Sequence, residues 1–257
     1  MKFNYDIRFG TFLRRPNRFI AHIDLDGTEV ICHVPNTGRL RELLIPGAQV
    51  MLSHHPSPVR KTQFELRMVR KEENWISIDS QLPNTLAYEA IVHEVIEELK
   101  GYTTIKREVN YQNSRFDLQL IKEDPCLSDA DNDVHTRNKN SSHNQKLIQT
   151  RNNICFVEIK NVTLETDGWS YFPDAPTERG RKHIDELIHA VRHGYRGVLL
   201  FVVQVENARG FTPNSTTDPA FSEKVKSAYE AGVDVLAYRC TVSTQEVTII
   251  DKIPVKL

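Results

Sequence analysis

Two runs of sequence decide the fold: Ser114-Arg115-Phe116-Asp117-Leu118-Gln119-Leu120 and Ile154-Cys155-Phe156-Val157-Glu158-Ile159-Lys160-Asn161-Val162. Side chains alternate across a strand, so Phe116, Leu118 and Leu120 are expected on one face and Arg115, Asp117 and Gln119 on the other. In the second run Cys155, Val157, Ile159 and Asn161 share one face, and Ile154, Phe156, Glu158, Lys160 and Val162 share its opposite. Both faces are largely apolar, which predicts an interior strand. Glu158 and Lys160 are then charges in a partly buried place, costly unless paired or engaged with a metal. With Asp117 on a neighbouring strand about 4.8 Å away, two carboxylates and an ammonium can meet at one point. That set suits a divalent ion clamped against a phosphate, with Lys160 activating or orienting the attacking water. The pattern also arises by chance in unrelated chains, so its surroundings decide its meaning.

Upstream, Ile105 to Tyr111 reads as a strand that turns at Gln112-Asn113 into the Asp117 strand. Before it, a helix capped by Asn84 or Thr85 after Pro83 runs to about Leu99 and stops at Gly101. Leu86, Val92, Val95, Ile96 and Leu99 form its apolar stripe, with Glu94, Glu97 and Glu98 exposed. Glu89 lies on or beside that stripe, either as an extra metal ligand or as an edge acid paired with an arginine. The run His93 to Glu97 lacks the second histidine of a metalloprotease helix, which excludes that reading. Lys122 to Asn153 is rich in Asn, Ser and Asp and poor in large apolar residues, so it is expected to be a polar insertion between the two deciding strands. His135 and His143 within it are read as solvated.

Downstream, Ile184, Leu187, Ile188 and Val191 form the inner face of a helix stopped by Gly194. Arg179, Lys182 and Glu186 line another face, which can lay cations along a polyanion beside the carboxylates. Gly197 to Val205 is an unbroken apolar run, hence a central strand. Asp218-Pro219 starts a helix to Gly232, and Val233 to Tyr238 is the last strand. Helix, three strands, helix, strand is the core order of the restriction-endonuclease-like nucleases.

Residues 1–82 read differently, as five or so short strands. Phe19, Ala21, Ile23 and Leu25 alternate up to the hairpin signal Asp26-Gly27, and Val30, Cys32 and Val34 resume the alternation. A small barrel of the oligonucleotide-binding type is expected there, with the α/β domain over 83–257. Arg14, Arg15, Arg18, Arg39, Arg60 and Lys61 fall in or beside its loops, where they can track a phosphate backbone; Arg115, Arg179 and Lys182 add cations near the carboxylates. Charge follows the same division. Through Lys71 there are 12 Lys and Arg against 6 Asp and Glu, and beyond it 21 against 28, within an overall net charge of −1. The 257 residues contain no long apolar run and no apolar leader, and the four scattered cysteines fit a reducing cytoplasm rather than a zinc cage. No phosphate-cradling glycine loop or dinucleotide fingerprint is present, which argues against a small-molecule enzyme of sugar metabolism.

Taken together, His33-Val34-Pro35-Asn36-Thr37-Gly38-Arg39, Arg60-Lys61-Thr62, Ser114-Arg115-Phe116-Asp117, Val157 to Val162 and Phe172-Pro173-Asp174-Ala175 resemble the bacterial sugar fermentation stimulation protein A (SfsA) family. The motifs span nearly the whole chain in the family's order. The resemblance implies a mixed α/β protein with an oligonucleotide-binding front domain and a restriction-endonuclease-like back domain. It also implies DNA binding, a nuclease assignment and a role in sugar-metabolism gene expression. By resemblance Asp117, Glu158 and Lys160 match the catalytic motif and Glu89 the helix acid. The expected cofactor is Mg²⁺ or Mn²⁺ held by Glu89, Asp117 and Glu158, and the expected partner is DNA or RNA with no membrane. The alternative is a DNA-binding regulator whose nuclease core is silent. The insertion at 122–153 departs from the family pattern.

Overall fold

A computed structural model describes residues 1–36, 38–123 and 151–257. Most of the polar insertion predicted over Lys122–Asn153, with His135 and His143, therefore lies outside the described residues.

The chain opens with six strands, β1 (Asp6–Asn17), β2 (Ile20–Leu25), β3 (Thr28–His33), β4 (Gln49–His54), β5 (Phe64–Lys71) and β6 (Asn74–Ser77). β1 pairs antiparallel with both β2 and β4, and β2 with β3. β4 pairs with β5, and a parallel contact of Cys32 and His33 with Phe64 and Glu65 joins β3 to β5. The circuit β1-β2-β3-β5-β4 thus returns to β1, the closed small barrel expected from the short alternating strands. Its β2–β3 hairpin turns at Asp26 and Gly27, with φ of 53° and 81°. Two consecutive positive φ values are what an Asp-Gly primed turn supplies. Ala21, Ile23, Cys32, Val50, Leu52, Leu66 and Val69 fill the barrel interior with no exposed surface.

The second unit follows through α1 (Leu82–Val92), a 3₁₀ turn (Glu97–Leu99), β7 (Thr104–Tyr111), β8 (Ser114–Ile121) and β9 (Ile154–Val162). After β10 (Leu164–Thr166) and β11 (Trp169–Phe172) come α2 (Glu178–Arg192), β12 (Arg196–Val203) and β13 (Gly210–Pro213). The chain finishes with α3 (Pro219–Glu230), β14 (Asp234–Val242) and β15 (Val247–Lys252). The main sheet runs β15-β14-β12-β9-β8-β7. β7, β8 and β9 form an antiparallel meander, and β9, β12 and β14 are parallel. β9 and β12 are central, as their two apolar faces require. α1 covers Cys155, Val157, Ile159, Val198 and Leu200, while α2 and α3 cover Phe156, Val162, Leu199 and Phe201. Met51 and Met68 of the barrel pack into the α1 side of this core. Lys71 of β5 also donates to the carbonyl (2.9 Å) and carboxylate (3.1 Å) of Glu165 on β10, which ties the barrel to the second unit.

Two local expectations are corrected. α1 ends at Val92 rather than near Leu99, and it begins at Leu82, so Asn84 and Thr85 lie within it and do not cap it. Its buried stripe is Leu82, Pro83, Leu86, Ala87, Ala90 and Ile91. Val92, six residues beyond Leu86, falls off that stripe and is 49% exposed. The chain then breaks at Glu94 (φ 56°), and Ile96 and Leu99 re-enter the core from the following turn. Glu98, expected in solvent, accepts from Tyr238 Oη at 2.6 Å and from Lys252 Nζ at 2.6 Å. The second correction concerns β8. Leu118 and Leu120 pack under α1, but Phe116 packs on the α2 side with Phe156. On the paired strand Ile105 and Val109 divide the same way, with Glu108 between them at φ 55°. Strict alternation therefore fails at Asp117, and a left-handed residue on the neighbouring strand accompanies the change of face.

Candidate active site

β8 and β9 pair as far as Leu118 and Val157 and then part. Asp117 is the first residue past that point, and its side chain takes over from the backbone ladder. Its Oδ2 accepts the Ile159 N–H at 2.7 Å, and Asn84 Nδ2 of α1 donates to Oδ1 at 2.8 Å. Parting strands thus leave a gap, and the carboxylate in the gap is oriented by the main chain it serves.

Glu158 is the neighbour on β9 and is only 2% exposed. Its Oε1 accepts from Lys160 Nζ at 2.6 Å and is hydrogen-bonded by His183 Nδ1. Its Oε2 is buried with no partner among the described residues. His183 comes from the first turns of α2, whose start is firmly placed. The Thr177 hydroxyl accepts the Gly180 N–H at 3.0 Å. Thr177 N–H donates to Asp218 at 2.8 Å, and Arg181 Nη1 reaches both oxygens of the same carboxylate at 2.7 and 2.9 Å. This buried network at the start of α3 pins the start of α2 against the cleft.

The result is a cleft of about 700 Å³ in which Asn84, Asp117, Glu158, Lys160, Arg179 and His183 face one another, with Arg107 and Arg115 at the rim. Burial, and then the adjacent charge of Glu158, push the Asp117 carboxyl up to about 6. Burial also acts to raise Glu158, but Lys160 and His183 outweigh it and hold that carboxyl below its ordinary range. One acid is thus kept ionised while its neighbour is held back, a perturbed pair of the kind that clusters at functional sites.

Asp117, Glu158 and Lys160 are brought together. Glu89 is not. It lies 140° around the helix from Asn84, and its carboxylate sits 3.1 Å from the Met1 amine. The helix residue that reaches Asp117 is Asn84, which the sequence suggested only as a cap. Among the described residues no group of three or more His, Cys, Asp and Glu is arranged to hold a metal, so the expected set of Glu89, Asp117 and Glu158 reduces to two acids. Two carboxylates still fit Mg²⁺ or Mn²⁺, because such ions keep several waters and use one or two carboxylates plus substrate oxygens. The unpartnered Oε2 of Glu158 is the atom this fit leaves open.

The basic residues separate by role. Arg15 points inward and donates to the carbonyls of Arg18, Asn36, Gly38 and Arg39 at 2.7 to 2.9 Å, so it builds the loop and is not free for a ligand. Arg14 is held by Glu29, Arg60 by Glu65 and Arg115 by Glu108. Arg18 lies over the Phe19 ring, and Lys182 reaches the Asn113 carbonyl at 3.3 Å. Arg39, Arg41 and Lys61 are exposed and carry no ion pair among the described residues. His183 was missed as a site residue, although its place four residues after Arg179 puts both on one helix face.

Residues 81–246 match the family model described as the sugar fermentation stimulation protein RE domain, and residues 13–78 match the SfsA N-terminal OB domain. The chain is 42% identical over 257 residues, all of both chains, to the sugar fermentation stimulation protein homolog of Clostridium perfringens strain SM101. It is 39% identical over 248 residues, 96% of each chain, to the homolog of Caldanaerobacter subterraneus subsp. tengcongensis. A solved structure described as "The structure of Pyrococcus Furiosus SfsA in complex with Ca2+" is similar at 28% identity and a TM-score of 0.82, covering 100% of this chain and 98% of that one.

Proposed function

The chain belongs to the sugar fermentation stimulation protein family, and on that basis we propose that it is a Mg²⁺- or Mn²⁺-dependent hydrolase of nucleic-acid phosphodiester bonds. The observation that carries this reading is the buried, unpartnered Oε2 of Glu158 in a cleft shared with Asp117 and Lys160. That the Pyrococcus furiosus relative is described as a Ca²⁺ complex adds support for an oxygen-rich cation site.

When bound, the cation supplies Lewis acidity at a phosphate oxygen and makes its bound water more acidic. Asp117 and Glu158 are the residues that would hold it, with Asp117 giving up its proton as it does so. Lys160 orients the attacking water and offsets negative charge developing on the phosphate. The free N–H groups of the first turn of α2, together with Arg179, hold phosphate oxygens beside the carboxylates. Arg39 and Arg41 on the barrel grip the backbone farther along. The partner is DNA, or RNA through the same phosphate chemistry.

Incubation with single- and double-stranded DNA and RNA plus Mn²⁺ tests the reading. Cleavage that disappears in Glu158→Ala/Lys160→Ala supports it; no cleavage above that double variant refutes it. That no group of three or more His, Cys, Asp and Glu is arranged to hold a metal, among the described residues, favours one alternative, a DNA-binding regulator of sugar-metabolism genes with a silent site. Calorimetry separates the two. The hydrolase requires Mn²⁺ binding that is lost in Asp117→Asn, and the regulator does not.

A further inference from the structure

The cleft of Asp117 and Glu158 does not end at the carboxylates. Across Ser80, Lys160 and Thr177 it continues into a neck of about 310 Å³. One side of the neck is a barrel loop with Asn36 and Gly38, and the other is β11 and the segment after it, with Tyr171 and Ala175. Gly38 also lines the neighbouring hollow that holds Arg39 and Arg41. The chemistry changes along this path. Arginines stand at both ends, whereas the neck is lined mainly by apolar and uncharged groups, with Lys160 where it meets the cleft and one carboxylate, Asp174. A carboxylate repels a phosphate but accepts hydrogen bonds from the amino edge of a base, and the Tyr171 ring offers a face for stacking.

Building on the nuclease reading, we propose that the neck is a subsite for one unpaired nucleotide, and hence that the substrate is a single-stranded polynucleotide threaded from the barrel to the carboxylates. Size is the first reason. Its volume is at the lower end of the roughly 300–1,000 Å³ that holds a small molecule. A duplex has a major groove alone about 12 Å wide and two backbones to accommodate. Rigidity is the second. The two sides belong to different domains joined by Lys71 and Glu165 and by the packing of Met51 and Met68 into the second unit's core, which opposes parting of the neck to admit paired strands. Enzymes that take a single base into such a confined pocket act on strands that are already unpaired or flip the base out of the duplex.

The test is fluorescence anisotropy in EDTA with single-stranded DNA, single-stranded RNA and duplex DNA of equal length. Single strands are expected to bind about tenfold more tightly than duplex, the effect of one stacked base. The DNA and RNA arms identify the sugar that the neck accepts. Ala175→Trp fills the neck from a half-buried position outside the carboxylate cluster, and it is expected to remove the single-strand advantage while leaving duplex affinity unchanged. Equal binding of duplex and single strand by the unaltered chain overturns the proposal, whatever the variant does. So does a variant that melts like the unaltered chain and keeps the advantage. A parallel Mn²⁺ arm separates the two readings. If single strands bind preferentially and nothing is cleaved, the catalytic reading fails and the subsite stands.

Discussion

Asp117→Asn should make this protein more stable while removing its divalent-metal response. The carboxyl is raised from its ordinary 3.8 to about 6, first by burial and then by Glu158. Because the folded chain binds this proton more tightly than the unfolded chain, the contribution of this carboxyl to stability is fully present below pH 4 and is lost as pH rises through about 6. At about 1.4 kcal/mol for each tenfold change in acidity, that rise places the cost of holding an ionised Asp117 at about 3 kcal/mol above pH 7. An asparagine keeps an oxygen for the Ile159 N–H, and the Asn84 amide can turn to meet the new NH₂, so both hydrogen bonds survive. Thermal unfolding in EDTA at pH 8 should show the variant melting roughly 6–12 °C higher, at about 2–4 °C per kcal/mol for a chain of this size. Near pH 4.5 most of the carboxyl is protonated in the folded chain, and the advantage should shrink to about 1 kcal/mol. Mn²⁺ should raise the melting temperature of the unaltered chain and leave the variant where it was. A variant no more stable at pH 8, or an advantage that does not fall toward pH 4.5, refutes the raised carboxyl and the metal-poised site built on it.

Other perturbations have equally direct outcomes. Glu89→Gln should leave Mn²⁺ binding unchanged by calorimetry and cost no more than about 1 kcal/mol, because it removes only a half-exposed pair with the Met1 amine; loss of Mn²⁺ binding would return Glu89 to the site. Arg15→Ala should destabilise the barrel by about 2 kcal/mol or more, since four loop carbonyls lose their donor. Arg39→Ala/Arg41→Ala should leave the melting temperature alone and reduce the salt dependence of nucleic-acid binding by about one ion per side chain. A reversal of those two results would exchange the structural and ligand-holding roles of these arginines. Leu200→Ala on the fully buried face of β12 should cost about 2–5 kcal/mol in chemical denaturation; a cost under about 1 kcal/mol would show that the central sheet is not the shared core.

The local patterns that one strand or turn decides by itself were legible in the amino-acid order. Period-two alternation is set by backbone geometry alone, so the Asp26-Gly27 hairpin and the two faces of β9 could be assigned without neighbours. The same geometry placed Glu158 and Lys160 on one side, and the unbroken apolar run of β12 announced a central strand. What needed the tertiary structure was every assignment that depends on a second element. The face change at Asp117 accompanies a left-handed residue across the ladder, and no count along β8 contains that information. Glu89 and Asn84 are both polar residues of one helix, and only the direction from which β8 approaches selects Asn84 as Asp117's partner. His183 meets Glu158 from 25 residues away because a buried carboxylate at the start of α3 sets the pose of α2. Arg15 and Arg39 look alike in sequence, yet one holds a loop together and the other faces water, since four carbonyls converge only once the barrel has closed. Alternation and helical period are properties of a single segment, whereas a site is made where segments meet, and the packing that brings them together is summed over the whole chain.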